Sequence, residues 1–129
     1  VGATFRHIWW ADFLWLGRFG GVEAPKVANF TEAQEHIDWD EFVRQRRELD
    51  DTIIRWADEM AQADIDGMLH YRSISYGDLS NPKAPLIVHI FNHATHHRGQ
   101  IHAMLTAAGQ KPQDTDIPVM PEAYKEYRP

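Results

Sequence analysis

Residues 87–105 read IVHIFNHATHHRGQIHAML, and the organisation of the chain turns on how that stretch is folded. On a helix advancing about 100° per residue, Leu86, Ile90, His93, His97, Ile101, Met104 and Ala108 fall on one stripe at steps of four and three. Two imidazoles one turn apart therefore occupy positions where core residues are expected. Histidines at i and i+4 can reach one ion from the same side of a helix. His89 and His93 share that spacing, so two registers are open. The downstream pair, His93 and His97, is favoured because Gln100 returns to the same face, where it is placed to hydrogen-bond a ligand or a bound water. His96 lies about 60° from His93 on the ideal wheel and His102 points away, which makes both surface or supporting groups. Arg98, about 140° from His93, is expected to be structural, with Asp12 as its candidate partner.

A histidine on a core stripe is more often hydrogen-bonded than metal-bound, and the spacing HxxxH arises by chance in many helices. Against that, burying several titratable rings together is costly unless something pairs with them, and a divalent cation would. The chain has no cysteine, so any site must use nitrogen or oxygen ligands. Among the remaining histidines, His7 is the only one in a strongly apolar segment; His36 sits at a loop edge and His70 in an irregular stretch. Three neutral imidazoles would leave coordination positions for water or substrate. The residue after His93 is Ala94 where a zinc protease needs glutamate, and no serine sits in a nucleophile-elbow context.

Around this segment the chain reads as helical. Residues 4–19, TFRHIWWADFLWLGRF, are apolar almost all the way round, which predicts a helix with neighbours on more than one flank, stopped by Gly20 and Gly21. A loop is expected over residues 22–37. A second helix starts near Asp38, with Glu41 at capping-box spacing, and runs to about Met60; its charge run is read as a solvated face with (i, i+4) ion pairs. From Asp64 to Asn81 a short hairpin and an extended loop both fit. The last helix opens after Asn81 and Pro82, tolerates Pro85 in its first turn and ends before Gly109 and Pro112. The tail is irregular, with one turn of helix expected over residues 122–127.

Composition narrows the class. A chain of 129 residues with a hydrophobic fraction of 43% is expected to form one domain over residues 1–129. Nineteen acidic residues against thirteen basic ones give a net charge of −6, which repels a phosphate backbone, so no nucleic-acid partner is expected. No apolar run approaches the ~18 residues that cross a bilayer, and no leader pattern is seen; the expectation is a cytoplasmic protein without membrane contact. The chain starts with Val1 already inside an aromatic-rich helical pattern, which suggests that something upstream is missing.

Three separated blocks resemble the DinB family in the same order: RHIWWADFLWLGRF over residues 6–19, HIFNHATHHRGQIHAML over 89–105 with its His-Arg-Gly-Gln, and TAAGQKPQDTDIP over 106–118. The resemblance implies an all-α fold, an antiparallel four-helix bundle, here with the first family helix absent. It implies a three-histidine metal site on His7, His93 and His97, with nickel or zinc as the divalent ion. It also implies a metal-dependent enzyme that activates a thiol or water against a small electrophile, in the manner of a thiol transferase. The alternative is a stress-associated helical protein whose metal is structural. The expected partners are a small-molecule substrate, with a low-molecular-weight thiol as one candidate, and a second copy of the chain in a homodimer.

Overall fold

The computed structural model describes residues 1–23, 38–116 and 118. Most of the loop expected over residues 22–37, and the turn of helix expected over 122–127, lie outside those residues. In chain order the elements are α1 (Gly2–Arg18), α2 (Trp39–Asp58), the single turn α3 (Gln62–Ile65), strands β1 (Met68–Ser73) and β2 (Gly77–Pro82), and α4 (Lys83–Ala107).

The helix ends follow local chemistry. The N-cap Asp38 accepts a hydrogen bond from the Glu41 amide at 2.9 Å, satisfying one of the orphan donors at the start of α2. Helices α1 and α4 close in the same way. Gly20 and Gly109 take positive φ of 80° and 78°, and the next residues, Gly21 and Gln110, donate back to the carbonyls of Leu16 and Leu105 at 2.9 and 3.0 Å. This is the Schellman arrangement, in which a left-handed residue lets the chain turn back onto its own last carbonyls. Pro85 sits in the first turn of α4, where no intrahelical donor is needed.

Helix α1 is the middle element of the helical layer. Trp9, Trp10 and Leu16 pack with Phe42 and Leu49 of α2 in one cluster, while Ile8 packs with Ala94 and Ile101 of α4 in another. The near-complete apolar circumference of α1 thus has a cause: it is covered from two sides.

The expected all-α four-helix bundle is not what forms. Among the described residues the chain is mixed, with four helices, one of them a single turn, and a two-stranded antiparallel sheet. Leu69 pairs with Asn81 and Tyr71 with Leu79, and burial alternates strictly along both strands. That period of two is the signature of a half-covered strand. The connection is the three-residue loop 74–76, closed by Gly77 at φ 73°, the glycine-dependent hairpin geometry. The hairpin is fastened to α1. The Trp15 and Tyr71 rings meet edge to face at 5.3 Å, the Arg18 guanidinium lies over both, at 4.5 and 4.7 Å, and Arg18 Nη2 donates to the Arg72 carbonyl at 2.9 Å.

Candidate metal centre

Two elements carry the cluster. His7 stands one residue before the buried Ile8 on α1; His93 and His97 stand on α4 between the buried Ile90, Ala94 and Ile101. The packing of Ile8 on Ala94 and Ile101 brings the two helices together at this level, so all three rings converge. His93 Nε2 lies 3.2 Å from His7 Nε2 and 3.1 Å from His97 Nε2. The three rings each offer one nitrogen, and those nitrogens lie within 4.8 Å of one another. Each residue is half-buried, neither sealed in the core nor turned toward bulk water.

Nitrogens bound at ~2.1 Å to one ion would stand about 3.4 Å apart in a tetrahedron and about 3.0 Å apart in an octahedron, which brackets the two spacings observed. Proton accounting points the same way. His97 Nδ1 lies 2.7 Å from Gln100 Oε1, an acceptor only, so Nδ1 carries the proton and the Nε2 of the neutral ring is a lone pair. His93 Nε2 faces both neighbours, and a single proton on it can serve only one of them well. His93 Nδ1 is buried with no hydrogen-bond partner among the described residues. Charging the ring is no remedy: desolvation, with the adjacent His97, His7, His89 and His96, pushes the His93 pKa down to about 4. Burial, then His97, lowers that of His7. Burial and neighbours thus favour the uncharged form of His7 and His93, and three imidazole nitrogens crowded at one point are the donor set a divalent cation takes.

Residues around the cluster divide clearly. His89 is exposed and outside the convergent group; its ring meets Trp15 edge to face at 5.3 Å and sits 5.6 Å from that of His93. Gln100 returns to the expected face, but its partners are histidines: Oε1 meets His97 Nδ1, and its amide nitrogen donates to His96 Nε2 at 3.0 Å. His70 lies exposed on β1, and His36 falls outside the described residues.

Arg98 makes no direct ion pair with Asp12 among the described residues, and its charge acts on that carboxyl only as the weakest of several influences. Arg98 donates to Thr95 on its own helix at 2.9 Å. Asp12, 5% exposed, instead accepts from Arg46 Nη1 at 2.7 Å. Burial pushes the Asp12 carboxyl above its ordinary pKa, and Arg46 opposes that shift. The sequence holds a signal for this pair that the reading of α2 as a solvated charged face passed over. Arg46 falls on the stripe of Phe42, Leu49, Ile53 and Trp56 at steps of four and three, and Asp12 falls on the stripe of Phe5, Ile8, Trp15 and Phe19. A charge on the core stripe of each of two packed helices calls for a partner.

A sequence model of the DinB family matches residues 1–127. The chain is similar to the protein named Protein DinB of Bacillus subtilis (strain 168), with 24% identity over 121 residues, covering 90% of this chain and 69% of that protein. No solved structure matches it.

Proposed function

The chain belongs to the DinB family, and we propose that it holds a divalent metal ion on His7, His93 and His97 and acts there as an enzyme on a small electrophile. The observation that carries this reading is the convergence of three imidazole nitrogens from two helices, with His7 and His93 86 residues apart in sequence. A divalent ion in such a site supplies Lewis acidity, which lowers the pKa of a thiol or water enough to make a nucleophile at neutral pH. Nickel or zinc suits three imidazoles, and a low-molecular-weight thiol is the preferred nucleophile.

The chain's own residues supply the rest. His7 and the α4 pair present imidazole donors. Trp15 meets His89 and Tyr71 edge to face, and His89 in turn lies beside His93, so aromatic surface flanks the cluster on that side. Among the described residues the group has three members and no fourth histidine or carboxylate, which favours a site with open positions over a closed structural one.

Elemental analysis of the purified protein tests the proposal. About one equivalent of divalent metal per chain is expected. His93→Ala should abolish binding and His89→Ala should leave most of it. Full metal content in His93→Ala would remove the assigned ligands, and equal loss in both variants would put the register one turn off. Turnover of a thiol with an electrophile panel should fall with chelator; a rate indifferent to chelation would refute the metal mechanism.

A further inference from the structure

Gln100 touches the cluster through two histidine rings at once. It lies three residues after His97 and four after His96, so on a helix its carboxamide lies against the previous turn and reaches both rings. Oε1 sits 2.7 Å from His97 Nδ1, and Nε2 sits 3.0 Å from His96 Nε2. All three residues belong to α4, so the arrangement is built by local helix geometry.

We propose that Gln100 is a positioning residue whose carboxamide, oriented by His96, holds His97 with its proton on Nδ1 and its Nε2 lone pair aimed at the point shared with His7 and His93. A carboxamide can turn end for end, and the two orientations have opposite consequences. With Oε1 toward His97, Nδ1 must donate and Nε2 is free to bind. Reversed, the amide N–H would meet Nδ1, and the ring proton would move to Nε2, pointing at His93 Nε2 and obstructing any ion. His96 Nε2, 3.0 Å from the amide nitrogen, selects the first orientation when its own proton is on Nδ1 and Nε2 accepts. Partners behind a ligand ring commonly fix its tautomer and raise its basicity. This inference rests on the proposed site, but it concerns the state of His97 before any ion arrives.

Imidazole nitrogen NMR of the metal-free protein at neutral pH reads the tautomer directly. His97 should carry its proton on Nδ1 in the wild type and in Gln100→Glu, and should shift toward the Nε2 form in Gln100→Leu and, less completely, in His96→Ala. Zinc affinity by chelator competition should fall roughly 10- to 100-fold in Gln100→Leu and stay close to wild type in Gln100→Glu, which keeps an acceptor. A residue that merely fills space would show the Leu and Glu variants weakened alike. Wild-type His97 protonated on Nε2, or indistinguishable zinc affinities for Leu and Glu, would overturn the proposal. Gln100 and His96 are both exposed, so folding should survive; were the Leu variant to fail, the tautomer in wild type, Gln100→Glu and His96→Ala still decides. A wild type that binds no divalent ion but holds the Nδ1 proton would sink the metal reading and leave this one standing.

Discussion

The Asp12–Arg46 pair shows how much depends on single side chains here. Asp12 has a side chain 6% exposed and Arg46 one 22% exposed, and Arg46 also binds Asp50 through Nε at 3.1 Å. Desolvating a carboxylate is affordable only while a cation stays beside it. Arg46→Ala should therefore lower unfolding free energy by about 3 kcal/mol, because it leaves a buried anion unpaired. The double change Asp12→Leu with Arg46→Met should recover much of that loss; urea unfolding of the three proteins checks both statements. The histidines act at the same level through pH. The folded pKa of His93 is about 4 against an ordinary 6.5, so between those values the unfolded chain takes up more protons than the folded one. Stability of the metal-free protein should be intact above pH 6.5 and decline as pH falls toward 4. The raised Asp12 pKa works in the opposite direction, from the ordinary carboxylate range upward and so within the same acid window. Urea unfolding in chelator across this window should show the decline in wild type and a flatter profile in His93→Ala.

Elements are joined at their ends by contacts that leave little room. A Cβ on Gly21 would stand 2.8 Å from Leu16 Cδ1 and 3.1 Å from Trp56 Cδ1, and Leu16 is the most buried side chain among the described residues, 1% exposed. At Gly20 nothing lies within 4 Å, but φ is +80°. Gly20→Ala should cost about 1 kcal/mol from conformation alone, and Gly21→Ala more, roughly 2–3 kcal/mol, from overpacking between α1 and α2. Thermal and urea melts of the two variants should separate these causes, and equal losses would show that the contact at Gly21 relaxes freely. Local signals make α1, α2 and α4 readable in the sequence, while the hairpin is legible only as one of two alternatives. Asp38, Gly20, Gly109 and Pro82 are local stop and start signals, and a helix repeats its apolar stripe over many turns. Residues 68–82 offer two six-residue alternations around a Tyr-Gly turn, a pattern that a loop can also show. Trp15 and Arg18 settle it, by giving the inward ring of Tyr71 something to cover.

At the level of the assembled chain, the metal reading makes a thermodynamic demand. Because His7 comes from α1 and the other two rings from α4, an ion bound by all three binds the folded state alone and must stabilise it. At one hundred times its Kd the gain is about 2.7 kcal/mol, enough to raise Tm by roughly 10 °C in a chain of this size. Melts with and without zinc or nickel should show that shift in wild type and lose most of it in His7→Ala; an undiminished shift would mean that α4 binds the ion unaided. The boundary between what could be read and what had to be folded follows from distance along the chain. Helix ends, the histidine stripe and the placing of Gln100 on it are consequences of neighbours within a turn or two, and the residues of α4 state them without help. The meeting of His7 with His93, the choice of Arg46 over Arg98 for Asp12, and the hairpin's existence all depend on which surfaces α1 presents to α2, α4 and the β-strands. Those choices are made by packing, because only contact between remote segments decides which ring or charge is desolvated beside which.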